Sequence, residues 1–325
     1  MKRKLKKIFS PIDDDLREFN AHFKRLMSSN VRIVDAVAKY LVTHKGKQFR
    51  PALLLTAARA AGEPQSITYV TAVVVELLHT ATLVHDDVVD NAELRRGFPT
   101  IHKIWRGKVA ILMGDYLLAK SLIAATETGS LEIMNIIATV AKRMSKGELL
   151  QFQKSRNLDI TEAEYFQLIS DKTASLISAC TELGAVTVNA SPAYRQALRD
   201  YGEYLGIAFQ IKDDMLDYES SMSLLGKPVG HDLADKKITL PLLYAFRQAP
   251  DKARKRIIRT LKNGAGKKEI QEIVSFVVDH GGLEKARRKA EEYRDRALAE
   301  LGDLPDSPAK AALVELADFV INRKK

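Results

Sequence analysis

Val70-Thr71-Ala72-Val73-Val74-Val75-Glu76-Leu77-Leu78-His79-Thr80-Ala81-Thr82-Leu83-Val84-His85-Asp86-Asp87-Val88-Val89-Asp90 is the stretch on which the reading of this chain turns. Up to Val84 it is apolar nearly all round a helical wheel, interrupted by Glu76 and His79, so it predicts a central helix from Ile67 to about Asn91. Three carboxylates close that helix. Asp86 and Asp90 are four residues apart and share a face, with Asp87 about 100° round from Asp86. Acids so close repel one another unless a cation sits among them. A hard divalent cation such as Mg²⁺ fits, because it takes oxygen ligands and bridges carboxylates to phosphate. Arg95 and Arg96 follow, with planar forks suited to phosphate. The combination suggests metal-bridged diphosphate chemistry; a solvated acidic helix face is the plain alternative.

A second copy shifts that balance. Gly206-Ile207-Ala208-Phe209-Gln210-Ile211-Lys212-Asp213-Asp214-Met215-Leu216-Asp217 again ends a mostly apolar helix in acids, with the same spacing of four from first to last. If the two helices face each other, six carboxylates line one cavity mouth.

The remaining pattern is helical. Pro11 to about Leu41 reads as an amphipathic helix, and Pro51 stands in the first turn of a helix ending before Gly62-Glu63-Pro64. Gly97 to Thr100 is a loop, and Gly129-Ser130 and Gly147 are breaks or kinks. Thr161 and Glu164 form a capping-box pattern opening a helix that runs through Lys172-Thr173-Ala174 to about Asn189. Ser191-Pro192 opens the helix carrying the second acidic set, and Gly226 to Gly230 is a polar loop. From Asp251 onward the chain reads as charged helix. Strand alternation and hairpin signals are lacking. The expectation is an all-α protein of roughly a dozen helices, one large bundle around a central cavity, with 1–325 as a single domain.

Bulk numbers exclude several classes. The composition, 46% hydrophobic and 28% charged, suits a globular protein with a sizeable core. The net charge of +10 is mostly terminal: Lys2, Arg3, Lys4, Lys6 and Lys7 give +5, and Arg323, Lys324 and Lys325 give +3. Nucleic acid is therefore not an expected partner, since binders carry their excess on a folded face. Residues 1–8 read as a flexible basic tail, with peripheral contact to anionic lipid as the most it would do at a membrane. No apolar run reaches the ~18 residues of a membrane span. Cys180 is the only cysteine, so there is no internal disulfide, and a cytoplasmic location fits.

These motifs together resemble the trans-prenyltransferase family, the all-α isoprenyl diphosphate synthases, over about Gly46 to Pro241. Gly46-Lys47-Gln48-Phe49-Arg50-Pro51 is similar to the family's early lysine–arginine motif. Asp86 to Asp90 with Arg95-Arg96 resembles its first aspartate-rich motif, and Lys172-Thr173 its mid-chain pair. Phe209 to Asp217 resembles the second aspartate-rich motif. Gly226-Lys227-Pro228 and Asp232 to Pro241 resemble the closing loop. The resemblance implies head-to-tail addition of isopentenyl diphosphate to an allylic diphosphate, with three Mg²⁺ ions and a homodimer. It implies catalytic roles for Asp86, Asp87, Asp90, Asp213 and Lys172, and metal roles for Asp86, Asp87, Asp90, Asp213 and Asp217, with Asp214 the weaker ligand. Arg95, Lys172, Thr173, Gln210, Lys227 and Lys237 fall on the allylic diphosphate. Lys47, Arg50, His79 and Arg96 fall on isopentenyl diphosphate. Lys236 is as plausible by position as Lys237; the Lys-x-Thr spacing favours Lys237. Released diphosphate takes the proton, so no protein base is required. By itself, on an apolar helix face, His79 reads more readily as a satisfied core histidine.

Product length follows from the same resemblance. The residues five and four before the first aspartate are Ala81 and Thr82, both small, which implies a product beyond C20. Ala81 reads otherwise as a small packing residue. Met134, Phe152 or a partner subunit is left to close the tunnel. Shorter-chain synthases, head-to-head synthases, terpene cyclases and a non-catalytic partner subunit are the alternatives; the complete Lys47, Arg50 and Arg96 set argues against the last three.

Overall fold

The structure, a computed structural model, describes residues 2–44, 46–95, 97–223 and 231–323. Arg96 and Lys227, both expected at the site, lie outside the described residues, as does the rest of the Gly226 to Gly230 loop.

The chain opens with α1 (Lys2–Ile8), a short 3₁₀ turn, α2 (Asp13–Met27) and α3 (Arg32–Thr43). The basic segment is thus not a flexible tail. Leu5, Ile8 and Phe9 are buried in the core, and Lys4 Nζ lies 5.6 Å from the Phe319 ring. The apolar positions between the basic residues anchor it, a periodicity hidden by the charge run. The expected single helix to Leu41 is two, because Ser28 turns extended and caps back onto the Arg25 carbonyl.

Next come α4 (Phe49–Ala61) and α5 (Ser66–Val89). Gln65 and Thr68 form a reciprocal cap at the start of α5. Ala72 to Val75, Leu77 and Leu78 of α5 are almost fully buried, as the all-round apolar pattern requires. A two-residue hairpin follows, Leu94–Arg95 (β1) pairing antiparallel with Phe98–Pro99 (β2). The sequence showed no alternation here because two residues are too few to carry any.

α6 (Ile101–Glu127) and α7 (Leu131–Asn157) are long. Gly147 does not break α7: a Cβ there would meet the Lys172 backbone nitrogen at 2.7 Å, so this glycine serves close approach. α8 (Glu162–Ile169) is capped by Thr161 and Glu164 as its pattern predicts. A five-residue π turn, Ser170–Ala174, joins it to α9 (Ser175–Thr187), which is buried on nearly every side. α10 (Pro192–Ser223) carries the second acidic set. The chain ends with α11 (His231–Ala234), α12 (Leu240–Gln248), α13 (Asp251–Asn263), α14 (Lys267–Asp279), α15 (Gly282–Glu300) and α16 (Pro308–Asn322).

The result is an all-α bundle. α4, α5, α9 and α10 form the heart of the main core, and α11 to α14 close over a smaller one. Ile160, Leu243 and Leu283 pack against both. α5 and α6 each prove long and apolar enough to cross a bilayer by length and composition, contrary to the expectation of no such span. The α5 stretch is mostly buried inside the protein; α6 exposes Ile104, Ile111, Leu112, Leu122 and Ile123.

Candidate active site

α5 and α10 deliver their acids to one end of the bundle, and the π turn lies between them. Asp86 faces α7 and the π turn. Burial, then the Glu148 charge, push its carboxyl up to about 6, while the Lys172 ammonium pulls the other way. Asp90 ends α5 in the open, on the stripe that also carries Asp86. Asp87 turns away from that stripe. It is buried and accepts a hydrogen bond from Arg95 Nε at 2.7 Å. Burial raises its carboxyl, with Arg95 opposing.

On α10, Asp213 pairs with Arg323 Nη2 at 2.7 Å, from just beyond α16. The same guanidinium lies 4.1 Å from the Phe209 ring centre. Asp214 is buried, accepting from Tyr165 Oη at 2.6 Å and Gln210 Nε2 at 2.8 Å. Burial, then the Asp232 charge, raise it well above the ordinary carboxylate range. Asp217 accepts from the Asp232 backbone amide at 3.2 Å.

Two cavities flank this arrangement. A polar one of about 130 Å³ is lined by Lys172, Thr173, Gln210, Asp214, Asp232 and Lys237 among others. Thr173 Oγ1 donates to Gln210 Oε1 at 2.8 Å, and Lys172 Nζ donates to Gln151 Oε1 at 3.1 Å and pairs with Glu148 at 2.5 Å. Lys237 is held by Asp235 at 3.0 Å; burial lowers its ammonium, but Asp235, Asp232 and, across the mouth, Asp90 leave it raised. Lys236 points elsewhere, donating to the Lys262 carbonyl at 3.0 Å from a left-handed backbone (φ 59°). Four residues expected on the allylic diphosphate therefore share one wall, and the Lys236 alternative is removed.

The other cavity is larger, about 600 Å³, and lies against α5. Lys47, Arg50, His79, Asp87, Arg95 and Arg323 line it. Arg50 Nη1 donates to His79 Nε2 at 2.9 Å, so that nitrogen is the acceptor. Arg95, expected on the allylic side, stands instead on this wall, because Asp87 holds it there. Tyr40 of α3 and His44 just beyond it fix the hairpin that carries it: Tyr40 donates to the Pro99 carbonyl at 2.6 Å, and the His44 ring lies 4.5 Å from that of Phe98.

Ala81 is buried in the core and Thr82 is half-buried on the Asp86 stripe, its hydroxyl donating to the His79 carbonyl. Phe152 is 60% exposed beside Arg156 and so does not plug the bundle of its own chain. Met134 packs partly buried against the core. Glu148, Gln151, Glu76, Tyr165 and Arg323 were not expected at the site. The first two lie at the ends of a Glu-x-x-Gln spacing on α7; Glu76 and Tyr165 sit in ordinary helical patterns, and Arg323 stands in the terminal basic run.

Among the described residues no three acidic, histidine or cysteine groups converge closely enough to hold a metal ion alone. The donors, Asp86 and Asp90 at the end of α5 and Asp213 and Asp217 within α10, which runs on to Ser223 instead of ending at the acids, are nevertheless hard oxygens, with Lys172 and Lys237 acting on the α5 pair. That set fits a Mg²⁺ ion whose remaining ligands are phosphate oxygens.

Comparison with known proteins bears on the family and the fold. The polyprenyl synthetase family model matches residues 31–277. The chain is 35% identical to the octaprenyl diphosphate synthase of Escherichia coli (strain K12), with 99% of each chain covered. It superposes on the crystal structure of a decaprenyl diphosphate synthase from Rhodobacter capsulatus with a TM-score of 0.93 and 38% identity, covering 99% of each. A polyprenyl synthase from Caulobacter crescentus CB15, solved with calcium and isoprenyl diphosphate, gives a TM-score of 0.91 at 36% identity, with 100% of this chain and 98% of that one covered. Fold, site and likeness converge: this chain belongs to the polyprenyl synthetase family of prenyltransferases.

Proposed function

We propose that the protein adds isopentenyl diphosphate head-to-tail to an allylic diphosphate primer such as geranyl, farnesyl or geranylgeranyl diphosphate, building an all-trans chain beyond C20 and releasing diphosphate. The observation that carries this reading is a pair of lysine- and arginine-bearing cavities, one walled by α5 and the other bearing the lysines whose charges act on Asp86 and Asp90. The first holds Lys47, Arg50 and His79, and the second Lys172, Thr173, Gln210 and Lys237.

Lys172, Lys237 and Gln210 receive the allylic diphosphate, and Thr173 adds a hydrogen bond. Asp86, Asp90, Asp213 and Asp217 hold three Mg²⁺ ions with it. Bound Mg²⁺ supplies Lewis-acid stabilisation of the charge on the departing diphosphate. Lys172 and Lys237 meet that same charge as the carbon–oxygen bond breaks, from positions fixed beforehand. Lys47, Arg50 and His79 hold isopentenyl diphosphate with its double bond toward the allylic carbon. Asp87 holds no metal in this reading; it orients Arg95, which faces the isopentenyl side instead of the allylic one. Arg96 and Lys227 keep their family-implied diphosphate roles. Ala81 and Thr82 leave room below Asp86 for a growing chain.

The protein acts as a cytoplasmic homodimer with at most peripheral membrane contact, read as one domain over 1–325. The exposed apolar face of α6 supports the dimer, since apolar area of that extent on one helix calls for a cover. Purified protein given Mg²⁺, labelled isopentenyl diphosphate and a primer should elongate it to products beyond C20, and chelation should stop the reaction. Absence of elongation by the protein alone overturns the reading.

A further inference from the structure

The π turn Ser170–Ala174 interrupts the regular helical path between α8 and α9, and it carries Lys172 and Thr173. Such one-turn widenings persist only where surrounding packing determines them. Two helical stripes do so here. On α7, Arg143, Gly147 and Gln151 recur at steps of four; on α10, Glu203, Gly206 and Gln210 recur at three and four. The glycines press on the turn from two sides: a Cβ at Gly147 would meet the Lys172 backbone at 2.7 Å, and one at Gly206 would meet Ala174 Cα at 2.5 Å. Toward the cavity, Gln151 accepts from Lys172 and Gln210 accepts from Thr173.

The remaining member of each stripe grips the outer face of the turn. Arg143 Nε donates to Asp171 Oδ1 at 2.9 Å, and its Nη2 donates to Ser170 Oγ at 2.7 Å and Glu203 Oε1 at 3.2 Å. Ser170 is also bonded to Glu203, and Gln167 Nε2 donates to Asp171 Oδ2 at 2.9 Å. Asp171 is 3% exposed. Burial by itself would raise its carboxyl, but hydrogen bonds from Arg143, Gln167 and Lys146 leave it lowered, so it stays charged and needs its cation.

We propose that Arg143 is a positioning residue for the allylic diphosphate: through Asp171, Ser170 and Glu203 it holds the π turn in the one geometry that aims Lys172 and Thr173 into the polar cavity. The effect is selective, because this network touches neither Lys47 nor Arg50. It rests on the diphosphate role proposed above for Lys172.

The test is steady-state kinetics of Arg143→Ala, Arg143→Lys, Lys172→Ala and the Arg143→Ala/Lys172→Ala double variant, with both substrates varied and thermal midpoints recorded. Arg143→Ala should raise the allylic KM or lower kcat by roughly tenfold to a hundredfold, as expected for a slight misplacement of a phosphate-binding group. The isopentenyl diphosphate KM should stay within twofold, and Arg143→Lys should restore part of the loss. In the double variant the Arg143 effect should largely vanish, since it acts through Lys172. Equal rises in both KM values, or full additivity, overturn the proposal. If Arg143→Ala fails to fold, Glu203→Gln, which weakens the same grip, must give the same allylic selectivity or the proposal fails. If Lys172→Ala itself leaves the allylic kinetics unchanged, the underlying role of Lys172 fails, whereas an impaired Lys172→Ala beside a normal Arg143→Ala removes only the positioning role.

Discussion

The acidic sets of α5 and α10 share one spacing and hold their charges differently. On α5 the first acid, Asp86, looks across at Lys172 and Glu148, and the last, Asp90, is open to solvent. On α10 the first acid, Asp213, is already paired with Arg323, and the last accepts an amide from Asp232. In both helices the middle acid is the buried one. Asp87 ties α5 to the hairpin arginine, and Asp214 ties α10 to Tyr165 of α8. The repeated Asp-Asp-x-x-Asp pattern therefore divides its labour cleanly only on α5: in both helices the middle acid fastens the helix to its neighbours, but on α10 the outer acids also hold Arg323 and the Asp232 amide.

The largest effect should come from the outer acids. Asp86→Ala or Asp213→Ala is expected to lower kcat by roughly a thousandfold, the scale of losing a prepositioned electrostatic group at a charge-separating step. The thermal midpoint should change little for Asp86→Ala and fall for Asp213→Ala, which takes this carboxylate from the nearly buried Arg323 guanidinium. A kcat within tenfold of normal for Asp213→Ala would leave α5 as the only metal-binding wall and break the comparison.

The middle acids should behave in the opposite sense. Asp214→Ala strands the buried Tyr165 hydroxyl and the Gln210 amide, an expected loss of about 1–3 kcal/mol in a denaturant titration. Asp87→Ala frees Arg95 on the isopentenyl side and should raise that substrate's KM severalfold with a smaller stability loss, since Arg95 is partly exposed. If the stability loss fell on Asp86 instead, the division of labour would be wrong.

Much of this was legible from residue order. Helical periodicity gave the all-α class, and the all-round apolar run of α5 gave the central helix, because burial on every side leaves no polar stripe. The convergence of Lys172, Thr173, Gln210 and Lys237 could be stated only through family likeness, since residues tens of positions apart carry no spacing signal. Three features escaped for physical reasons. The π turn depends on Gly147 and Gly206 from two other helices, and a glycine that permits close approach looks in sequence like one that ends a helix. The hairpin is too short to alternate. α1 hides Leu5 and Ile8 among lysines, so its net charge suggests solvent where its apolar side chains are buried.

Arg323 sharpens the difference between the two helices further. It lines the cavity of Lys47 and Arg50 while holding Asp213 and covering Phe209, so the α10 acid is bonded directly to that wall. Arg323→Ala should raise the isopentenyl diphosphate KM by about tenfold, the scale of one charge-assisted contact. The allylic KM should stay within twofold. Equal effects on both substrates would mean that Arg323 serves mainly to fasten α16 to α10.

The mildest change concerns what lies below each acid. Beneath Asp86 stand Ala81 and Thr82; at the same offsets beneath Asp213 stand Ala208 and Phe209. At these two offsets only the α10 pair carries an aromatic. Thr82 is half-buried on the Asp86 stripe, so Thr82→Phe puts a ring below the acids without entering the packed core. Ala81 is 1% exposed, and Ala81→Phe must displace core neighbours at about 1–3 kcal/mol. Both variants should shorten the product on chromatography while the rate of the first condensation stays within severalfold of normal, Thr82→Phe with the smaller loss of stability. An unchanged length distribution in both would place the limit on chain growth away from α5, and the contrast between an open wall and an aromatic one would then have no bearing on product length.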